Sequence, residues 1–306
     1  MKLIVIVGPT AAGKSALGLL WGQRVGGEIV SGDSVQVYRE LTIGSAKPSP
    51  EERRLVPHHL IDFLNPDESF TAARFQELAR AAIAEIRGRN RQPIVVGGTG
   101  LYIRALLDPF AFAPQGSASI RDKWLEVARR QGTPALHHRL SQWDPASAAR
   151  LHQNDTARLI RALEVYESTG RPLSEQRGYQ EEVYPKLDQV VLVGLTAPRP
   201  VLYRRIDERC EAMVKDGLIQ EVEAILKKGY APRLKALRSI GYRHAVDYLY
   251  GKVNRSEMLR LFQRDTRRFA KRQLTWFRRD PRILWFDTED MPIPRILNTL
   301  LSSCGE

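Results

Sequence analysis

Five short, mainly apolar runs stand apart on either side of the middle of the chain. They cover residues 3–7, 28–31, 93–97, 190–195 and 283–286. The runs are continuously apolar rather than alternating, which is typical of strands covered on both faces, as in a parallel sheet. Segments with helical periodicity lie between or after them, at residues 15–24, 70–88, 199–228 and 256–277. This order predicts an α/β fold, a parallel sheet flanked by helices.

A different pattern fills the middle of the chain, from about residue 110 to residue 187. The strand-like runs stop, and short helical segments take their place at residues 119–131, 134–142 and 155–168. The stretch opens with PFAFAPQGSAS, whose Pro, Gly and Ser residues break regular structure, and it closes at Pro185. We therefore predict a core domain made of residues 1–109 and 188–306, interrupted by an all-helical insertion domain at 110–187.

The composition is that of a globular protein with an unusually high positive charge. Of the 306 residues, 43% are hydrophobic and 27% are charged, and the formal net charge is +12. A strongly basic surface attracts polyanions, so nucleic acid is the first partner to consider. No apolar stretch approaches the roughly 20 residues of a membrane helix, and two cysteines make neither a disulfide framework nor a zinc site. We expect a cytoplasmic protein without a membrane partner.

The first apolar run leads directly into a phosphate-binding sequence. Residues 8–15, GPTAAGKS, satisfy the pattern G-x-x-x-x-G-K-[ST] between a predicted strand and a predicted helix, as the motif requires. In such a P-loop the backbone N–H groups, the helix dipole and the lysine bind phosphate, and the serine hydroxyl can hold Mg²⁺. The residues assigned to phosphate binding are Gly8, Pro9, Thr10, Ala11, Ala12, Gly13, Lys14 and Ser15, with Ser15 as the Mg²⁺ ligand.

The acidic residue that most nucleotide-hydrolysing enzymes add to this loop is missing from its expected place. Such enzymes hold Mg²⁺ with a carboxylate at the tip of a neighbouring strand, whereas the run at 93–97 leads into Gly-Gly-Thr-Gly. A carboxylate follows the run at 28–31 instead, where Asp33 lies in GDSVQVYR at the sheet edge that binds ligands. Asp33 could accept a proton from a substrate, with Ser34 and Gln36 bonding a base edge, or it could cap a turn.

Eight blocks of the sequence, which together span nearly the whole chain, resemble the bacterial tRNA dimethylallyltransferases in content and order. They are GPTAAGKS, SGDSVQVYR, IGSAKP (43–48), VVGGTGLYIRALL (95–107), NDTARLIRALEVYESTGRPLS (154–174), RCEAMVKDGLIQEV (209–222), SIGYRHA (239–245) and RRFAKRQLTWFRR (267–279). The resemblance implies a P-loop NTPase-like core and transfer of an isopentenyl group from dimethylallyl diphosphate to N6 of adenosine 37 in tRNA. The phosphate loop would then hold the diphosphate leaving group, with Mg²⁺ as cofactor and without consumption of ATP.

The resemblance also implies roles for particular residues. Asp33 matches the family's general base, and Thr10, Lys14 and Arg209 match groups that act on the diphosphate. Without the resemblance, Arg209 would be taken for a solvated cation of the charged helix RRIDERCEAMVKDG. The positions implied to meet the anticodon stem-loop are Asp33, Ser34, Val35, Gln36, Thr99, Arg104, Arg121, Ala157, Arg158, Leu159, Ile160 and Arg161.

Two further features concern the partners of the chain. The segment from Arg255 to Arg279 is rich in cations and contains Phe262, Phe269, Trp276 and Phe277, which favours a surface that follows the phosphates of RNA. The histidine pairs at 58–59 and 137–138 lack partners at metal-ligand spacing, so we expect surface or turn residues there. We expect the protein to act as a monomer.

Three other functions remain open from the sequence. A kinase with the same loop would transfer phosphate from ATP, and it would need the acidic strand tip that is missing here. An adenylate isopentenyltransferase would use the same donor on a free nucleotide, but the basic charge and the helical insertion favour tRNA. An RNA-binding module would bind tRNA without turnover.

Overall fold

The computed structural model describes residues 1–108, 112, 118–175 and 189–304. The chain forms two compact units: Met1–Leu106 with Pro185–Glu306, called here the core unit, and Leu107–Tyr184, called the insertion unit. The insertion unit is thus bounded by residues 107 and 184, where the sequence pattern placed 110 and 187.

A six-stranded parallel sheet forms the centre of the core unit. Its strands are β1 (Leu3–Val7), β2 (Glu28–Ser31), β3 (His58–His59), β4 (Pro93–Val96), β5 (Val190–Thr196) and β6 (Leu284–Asp287). Their order across the sheet is β3-β2-β4-β1-β5-β6. The register places Ile4 opposite Ile94 of β4 on one side and opposite Val191 of β5 on the other. The predicted parallel sheet is confirmed.

Helices flank this sheet. Those that precede the insertion are α1 (Lys14–Val25), α2 (Pro50–Leu55), α3 (Ala72–Gly88) and α4 (Gly100–Leu107). Those that follow it are α9 (Arg199–Lys215), α10 (Leu218–Lys227), α11 (Tyr242–Leu249), α12 (Arg255–Phe277) and α13 (Ile293–Cys304). Side chains fix several starts: Asn254 accepts the Glu257 N–H at 2.9 Å and thereby caps α12.

The core lies between the sheet and two helices from opposite ends of the chain. All five residues of β1 are buried, as expected of a strand covered on both faces. Leu17 and Trp21 of α1 pack into the same cluster as Ile296 and Leu300 of α13. The helix that follows the phosphate loop is therefore held on the sheet by the last helix of the chain.

The insertion unit is helical and has a core of its own. Its helices are α5 (Ala118–Gln131), α6 (Thr133–Trp143), α7 (Pro145–Arg150) and α8 (Thr156–Thr169). Trp124, Leu140 and Leu163 belong to its buried cluster. Trp143 stacks on Tyr166 with ring centroids 4.9 Å apart. Among the described residues, no helix of either unit has the length and apolar character needed to cross a membrane.

The structure corrects three details of the predicted elements. The helical segment predicted at 199–228 is two helices, because the chain turns at Gly217, where φ is 107°. His58 and His59, expected to be surface or turn residues, form β3 and pair with β2. The pattern also missed several short helices. They are α2, α4, α7, α11 and α13.

Candidate active site

A cavity of about 610 Å³ opens in the core unit at the edge where β1, β2 and β4 end. Because these strands are parallel, the loops that follow them meet at one edge of the sheet. Helices α9 and α12 and the loop at 44–48 supply further walls. The predicted site residues that line the cavity are Thr10, Lys14, Ser15, Asp33, Ser34, Val35, Gln36, Thr99 and Arg209.

The phosphate loop owes its shape to positive backbone φ angles. They measure 136° at Gly8, 66° at Ala11 and 88° at Gly13. A Cβ at Gly8 would lie 2.2 Å from the carbonyl oxygen of Leu195 in β5, so a larger residue does not fit there. Ala12 is fully buried in the hydrophobic core. The loop is therefore anchored on the sheet through Ala12, while the residues on either side stay accessible.

Lys14 is a strongly perturbed cation of this loop. Its Nζ donates a hydrogen bond to the carbonyl oxygen of Pro9 at 2.7 Å. Burial and the charge of Arg209 lower the pKa of Lys14 from 10.5 to about 7, and the negative charge of Asp33 opposes that shift. Two cations thus share a site with one carboxylate, and a bound anion would relieve their repulsion.

Arg209 reaches the phosphate loop from helix α9. Its Nη1 lies 3.4 Å from Oγ1 of Thr10, to which it donates. Burial lowers its pKa below the usual value for arginine. Within the part of the chain that the structure describes, Arg209 forms no ion pair, unlike its helix neighbour Arg205, which pairs with Glu289. It is therefore a cation of the cavity rather than one of the solvated charges of α9.

Asp33 caps a turn and also lines the cavity. Its Oδ1 accepts the backbone N–H of Val35 at 2.7 Å, with a longer contact of 3.4 Å to the N–H of Gln36. The carboxylate therefore caps its own turn. Its other oxygen, Oδ2, has no hydrogen-bond partner among the described residues, and Asp33 lines the cavity. One oxygen fixes the loop and the other is left for a ligand.

Gln36 lines the cavity, but its side-chain amide is used within the protein. Its Oε1 accepts from the Ser31 hydroxyl at 2.9 Å, and its Nε2 donates to the carbonyl oxygens of Ser45 and Ala46 at 3.2 and 3.1 Å. The amide therefore holds the loop at 44–48 against β2, and both of its hydrogens are used within the protein. The hydroxyl of Ser34 has no hydrogen-bond partner among the described residues, and Ser34 lines the cavity.

Two residues that hold loops of the cavity were not predicted from the sequence. Glu221 of α10 accepts the backbone N–H groups of Thr42 and Ile43 at 3.1 and 2.8 Å and so positions a loop of the cavity. Gln273 of α12 bonds to the phosphate loop itself. Gln273 lies inside the block RRFAKRQLTWFRR, yet no spacing rule connects it with residues at the other end of the chain.

One wall of the cavity is apolar. Met213, Ile240, Phe262 and Phe269 line it on the side formed by α9 and α12. Phe269 also carries the guanidinium of Arg272 at 5.8 Å from its ring centroid. The cavity thus joins a cationic end at the phosphate loop to a wall that suits a hydrocarbon group.

The predicted RNA-contacting residues of the insertion unit differ in accessibility. Leu159 and Ile160 are buried in the unit's own core, so their side chains support helix α8 and are not offered to a partner. Ala157, Arg158 and Arg161 are exposed or half-buried. Arg121 and Arg161 both lie 3.4 Å from the buried carboxylate of Glu164. RNA contact by these residues stays a prediction.

The remaining sequence features lie outside the cavity or play structural parts. Arg104 is exposed on α4 and is not among the residues that line the cavity. His59 bonds to Glu28 at 2.7 Å, and His58 bonds to the carbonyl oxygen of Val56 at 2.7 Å. His58 also lines the cavity. The described residues contain no cluster of three or more His, Cys, Asp or Glu side chains that could hold a metal ion.

Helix α12 divides its cations between the protein and the solvent. Arg267 is paired with Asp207 at 2.6 Å and Arg264 with Asp265 at 2.8 Å. Lys271 is exposed, and in the described part of the chain it has no acidic partner within 4 Å. Phe262 and Phe277 are buried. Two of the four aromatics of this helix thus belong to the core, Phe269 and Trp276 are half-buried, and part of the positive charge is left for another molecule.

Comparison with known proteins agrees with this arrangement. A family model described as IPP transferase matches residues 36–280. A tRNA dimethylallyltransferase of Desulfitobacterium hafniense strain Y51 is 59% identical over 99% of this chain and 97% of its own length. One from Carboxydothermus hydrogenoformans is 48% identical over 99% of this chain and 97% of its own length.

Solved structures give the same result. A full-length tRNA isopentenylpyrophosphate transferase of Bacillus halodurans matches with a TM-score of 0.72 and 41% identity, covering 98% of this chain and 96% of its own. A eukaryotic dimethylallyltransferase acting on tRNA matches with a TM-score of 0.78 and 28% identity, covering 94% of this chain and 74% of its own. The predicted P-loop NTPase-like core is confirmed by these neighbours. The chain belongs to the IPP transferase family.

Proposed function

We propose that this protein transfers a dimethylallyl group from dimethylallyl diphosphate to N6 of adenosine 37 in tRNA. The observation that carries the proposal is the cavity that brings Lys14, Thr10 and Arg209 together with Asp33. In the reaction the bond between C1 and the bridging oxygen of the donor breaks, and a bond between C1 and N6 forms. The amine proton passes to Asp33, and diphosphate leaves.

The cationic end of the cavity suits the diphosphate. Negative charge grows on the leaving group as the C1–O bond breaks, and fixed donors aimed at that charge lower the barrier. Lys14 and Arg209 supply two cations, whose mutual repulsion in the free protein favours uptake of an anion. The amides of the phosphate loop and of the first turn of α1 add further donors.

We assign the carboxylate of Asp33 the role of base toward the acceptor. The exocyclic amine of adenine is a poor nucleophile, because its lone pair is delocalised into the ring, so a base that takes its proton assists the attack. Asp33 has an oxygen without a partner among the described residues. The apolar wall formed by residues such as Met213 and Phe269 would enclose the dimethylallyl group and exclude water from the reacting carbon.

Mg²⁺ fits this site only as an ion carried with the diphosphate. Ser15 lines the cavity beside Lys14, but the described residues provide no set of three acidic or histidine ligands. Mg²⁺ commonly keeps several waters and binds through substrate phosphates and few protein groups. The residue that would hold it is Ser15. When bound, the ion would neutralise part of the diphosphate charge.

The tRNA partner is supported by charge and by relatives. The chain carries a net charge of +12, and α12 exposes cations such as Lys271 beside the residues that line the cavity. The relatives are tRNA dimethylallyltransferases. Adenosine 37 lies in an unpaired loop, where extrusion of a base costs least. The anticodon stem-loop as the bound part of the tRNA, a monomeric state and a cytoplasmic location stay predictions.

The test is mass spectrometry of nucleosides from unmodified tRNA incubated with the protein, Mg²⁺ and dimethylallyl diphosphate. Parallel reactions contain ATP, replace the tRNA by AMP, or use a tRNA with guanosine at position 37. We expect one isopentenyl group on adenosine of the unmodified tRNA, independent of ATP, and none on the substituted tRNA.

Each other outcome has a distinct meaning. Modification of AMP at the rate seen with tRNA would replace the proposal by a free-nucleotide transferase. Phosphate transfer from ATP in the same tube would replace it by a kinase. Tight tRNA binding with no modified nucleoside would leave an RNA-binding protein.

A further inference from the structure

Gln273 connects helix α12 to the phosphate loop by two hydrogen bonds. Its Oε1 accepts the backbone N–H of Thr10 at 2.9 Å, and its Nε2 donates to the carbonyl oxygen of Gly98 at 3.0 Å. The residue is 6% exposed. Both halves of the amide are therefore used, which fixes the orientation of the side chain. One buried glutamine thus joins the loop after β1 to the loop after β4.

The strand tip at β4 is shaped to receive α12. A Cβ at Gly98 would lie 2.2 Å from Nε2 of Gln273, and a Cβ at Gly100 would lie 2.2 Å from Cδ1 of Trp276. Strand β4 is the neighbour of β1, so this tip is where a nucleotide-hydrolysing P-loop enzyme keeps its Mg²⁺-binding acid. Here the neutral amide of Gln273 occupies that place.

Thr10 is held by two hydrogen bonds, one at its main chain and one at its side chain. Its N–H is occupied by Gln273, while its hydroxyl oxygen accepts from Arg209 at 3.4 Å. A hydroxyl has one donor hydrogen in addition to its acceptor sites. Among the described residues that hydrogen has no partner, and Thr10 lines the cavity. Thr10 is therefore held at its main chain with its hydroxyl left to donate to a ligand.

We infer that Gln273 is a positioning residue for the proposed transfer, acting through Thr10. It holds Thr10 so that the hydroxyl faces the leaving diphosphate, and it keeps the tip of β4 free of a second negative charge. The inference rests on the proposed function. It concerns a residue to which neither the sequence motifs nor the phosphate loop by itself assigns a role.

A double-mutant cycle tests the action through Thr10. Gln273→Met removes both hydrogen bonds at nearly constant volume, and Thr10→Val removes the hydroxyl but keeps the N–H. We expect each single change to lower kcat about tenfold or more, with the KM for tRNA unchanged, and the double variant to be no slower than the slower single one, since coupled contacts are not additive. Multiplication of the two effects, or a change confined to the KM for tRNA, would overturn the inference.

The inference also says that Gln273 keeps negative charge away from the tip of β4. This statement has its own test, which needs no turnover. Gln273→Glu keeps an acceptor for the Thr10 N–H but places a carboxylate at the strand tip, and its affinity for inorganic diphosphate should fall about tenfold or more below that of Gln273→Met. Thr275→Glu adds an exposed charge two residues along the same helix and should leave the affinity unchanged. Equal affinities of Gln273→Glu and Gln273→Met would contradict this part.

The two proposals can fail separately. If the wild-type protein transfers no prenyl group, the proposed function fails, while calorimetric binding of diphosphate still decides whether Gln273 governs the charge at the strand tip. If Gln273→Met does not fold, as circular dichroism would reveal, Gln273→Leu, which also removes both hydrogen bonds, takes its place in the cycle and in the affinity comparison. Loss of folding in both variants would assign Gln273 a purely structural role and refute the inference.

Discussion

The two carboxylate oxygens of Asp33 differ in their contacts. Oδ1 accepts the N–H of Val35 and holds the turn, Oδ2 has no hydrogen-bond partner among the described residues, and Asp33 lines the cavity. In the proposed reaction, a single residue therefore fixes its own loop and serves as the base. The same division applies at Thr10, whose main chain is bonded to Gln273 and whose hydroxyl lies in the cavity.

Replacing Asp33 by asparagine should separate these roles. Asn keeps an oxygen for the Val35 N–H but is no base, so the single-turnover rate of prenyl transfer should fall by about 10²- to 10⁴-fold. The affinity for tRNA, measured by filter binding, should change little. Asp216→Asn, an exposed acid at the end of α9, is the matched control. A large loss of tRNA affinity with unchanged turnover would contradict the base assignment.

Lys14 should make donor binding depend on pH. With its pKa lowered to about 7, Lys14 is mainly neutral above that pH in the free protein, whereas a bound diphosphate favours the ammonium form. Binding therefore takes up a proton, and the association constant should fall by up to about tenfold per pH unit above about pH 7. Calorimetry in two buffers of different ionisation enthalpy measures the uptake directly.

Lys14→Arg is the control for this effect. The charge of arginine is permanent, so the pH dependence of binding in this variant reports only the ionisation of the diphosphate. Equal pH slopes in both proteins would show that Lys14 does not titrate in this range.

The lowered pKa of Lys14 also makes the stability of the fold depend on pH. Between about pH 7 and 10.5, the usual pKa of a lysine, the unfolded chain binds the proton that folded Lys14 has lost. The Lys14 contribution to the free energy of unfolding therefore rises with pH in that window.

Single residues differ in how far the sequence predicts their roles. The phosphate loop follows from fixed spacing within eight residues, so Lys14 and Ser15 could be placed without a structure. The role of Gln273 depends on a bond to a residue 263 positions away, and no local pattern encodes such a pairing. From the sequence, the amide of Gln36 could bond a base edge, and only the fold shows that Ser31, Ser45 and Ala46 also bond to it. Contact of Gln36 with tRNA stays a prediction.

At the scale of elements, the contact between α12 and the tip of β4 depends on glycine. Gly98 and Gly100 allow Gln273 and Trp276 to approach the strand's loop more closely than any Cβ would permit. The sequence Gly-Gly-Thr-Gly, which from its composition only showed that an acid was missing, is thus a docking surface for a helix.

Gly100→Ala should therefore destabilise the fold. A Cβ there would lie 2.2 Å from Trp276, and overpacking of this kind typically lowers the free energy of unfolding by about 1–3 kcal/mol. Gly88→Ala is the matched control, because nothing lies within 4 Å of its Cβ position at the end of α3. That change should be neutral or stabilise by up to about 1 kcal/mol. Urea unfolding of both variants measures the difference, and equal stabilities would refute the packing argument.

Exposed cations of α12 that have no acidic partner in the described part of the chain should contribute more to RNA binding than those that are paired. Lys271→Ala should weaken tRNA binding and reduce the log–log salt slope by about 0.7–0.9, the value for one lost phosphate contact. Arg260→Ala should leave the slope unchanged, since Arg260 is paired with Glu257 at 2.7 Å. Fluorescence anisotropy over a salt series gives both slopes. If Lys271→Ala reduced the salt slope less than Arg260→Ala, the RNA would not contact α12 at Lys271.

Elements were predictable where burial leaves a mark on the sequence. The continuously apolar runs of β1, β4 and β5 follow from cover on both faces, and these strands were placed to within a residue or two. Strand β3 consists of two histidines and has no hydrophobic pattern, so only its pairing with β2 defines it. The break between α9 and α10 falls at one glycine inside an otherwise helical periodicity, which the pattern passes over.

At the scale of the whole molecule, the insertion unit has a hydrophobic core of its own. Among the described residues, its buried cluster consists of residues of its own four helices, such as Trp124, Leu136 and Leu163. The sheet, in contrast, combines strands from both sides of the insertion, with β1 lying between β4 and β5. Loss of the insertion should thus leave the hydrophobic core of the sheet intact.

Removing residues 116–176 tests this separation. The shortened protein should keep its α/β circular dichroism, its cooperative unfolding and its affinity for diphosphate, because the cavity is built from core-unit residues. Its affinity for tRNA should fall if the predicted contacts at Arg121 and Arg158 are made. Unfolding of the shortened chain would contradict the first expectation, and full tRNA affinity would contradict the second.

The bond between Thr10 and Gln273 also has a consequence for the timing of synthesis. The two residues are 263 positions apart, and a ribosome that adds about 5–20 residues per second needs on the order of tens of seconds to cover that distance. During this time the nascent chain carries its phosphate-binding sequence without the glutamine that fixes it. The active site is therefore among the last parts of the molecule to be completed, and an unfinished chain lacks the contact that fixes its phosphate loop.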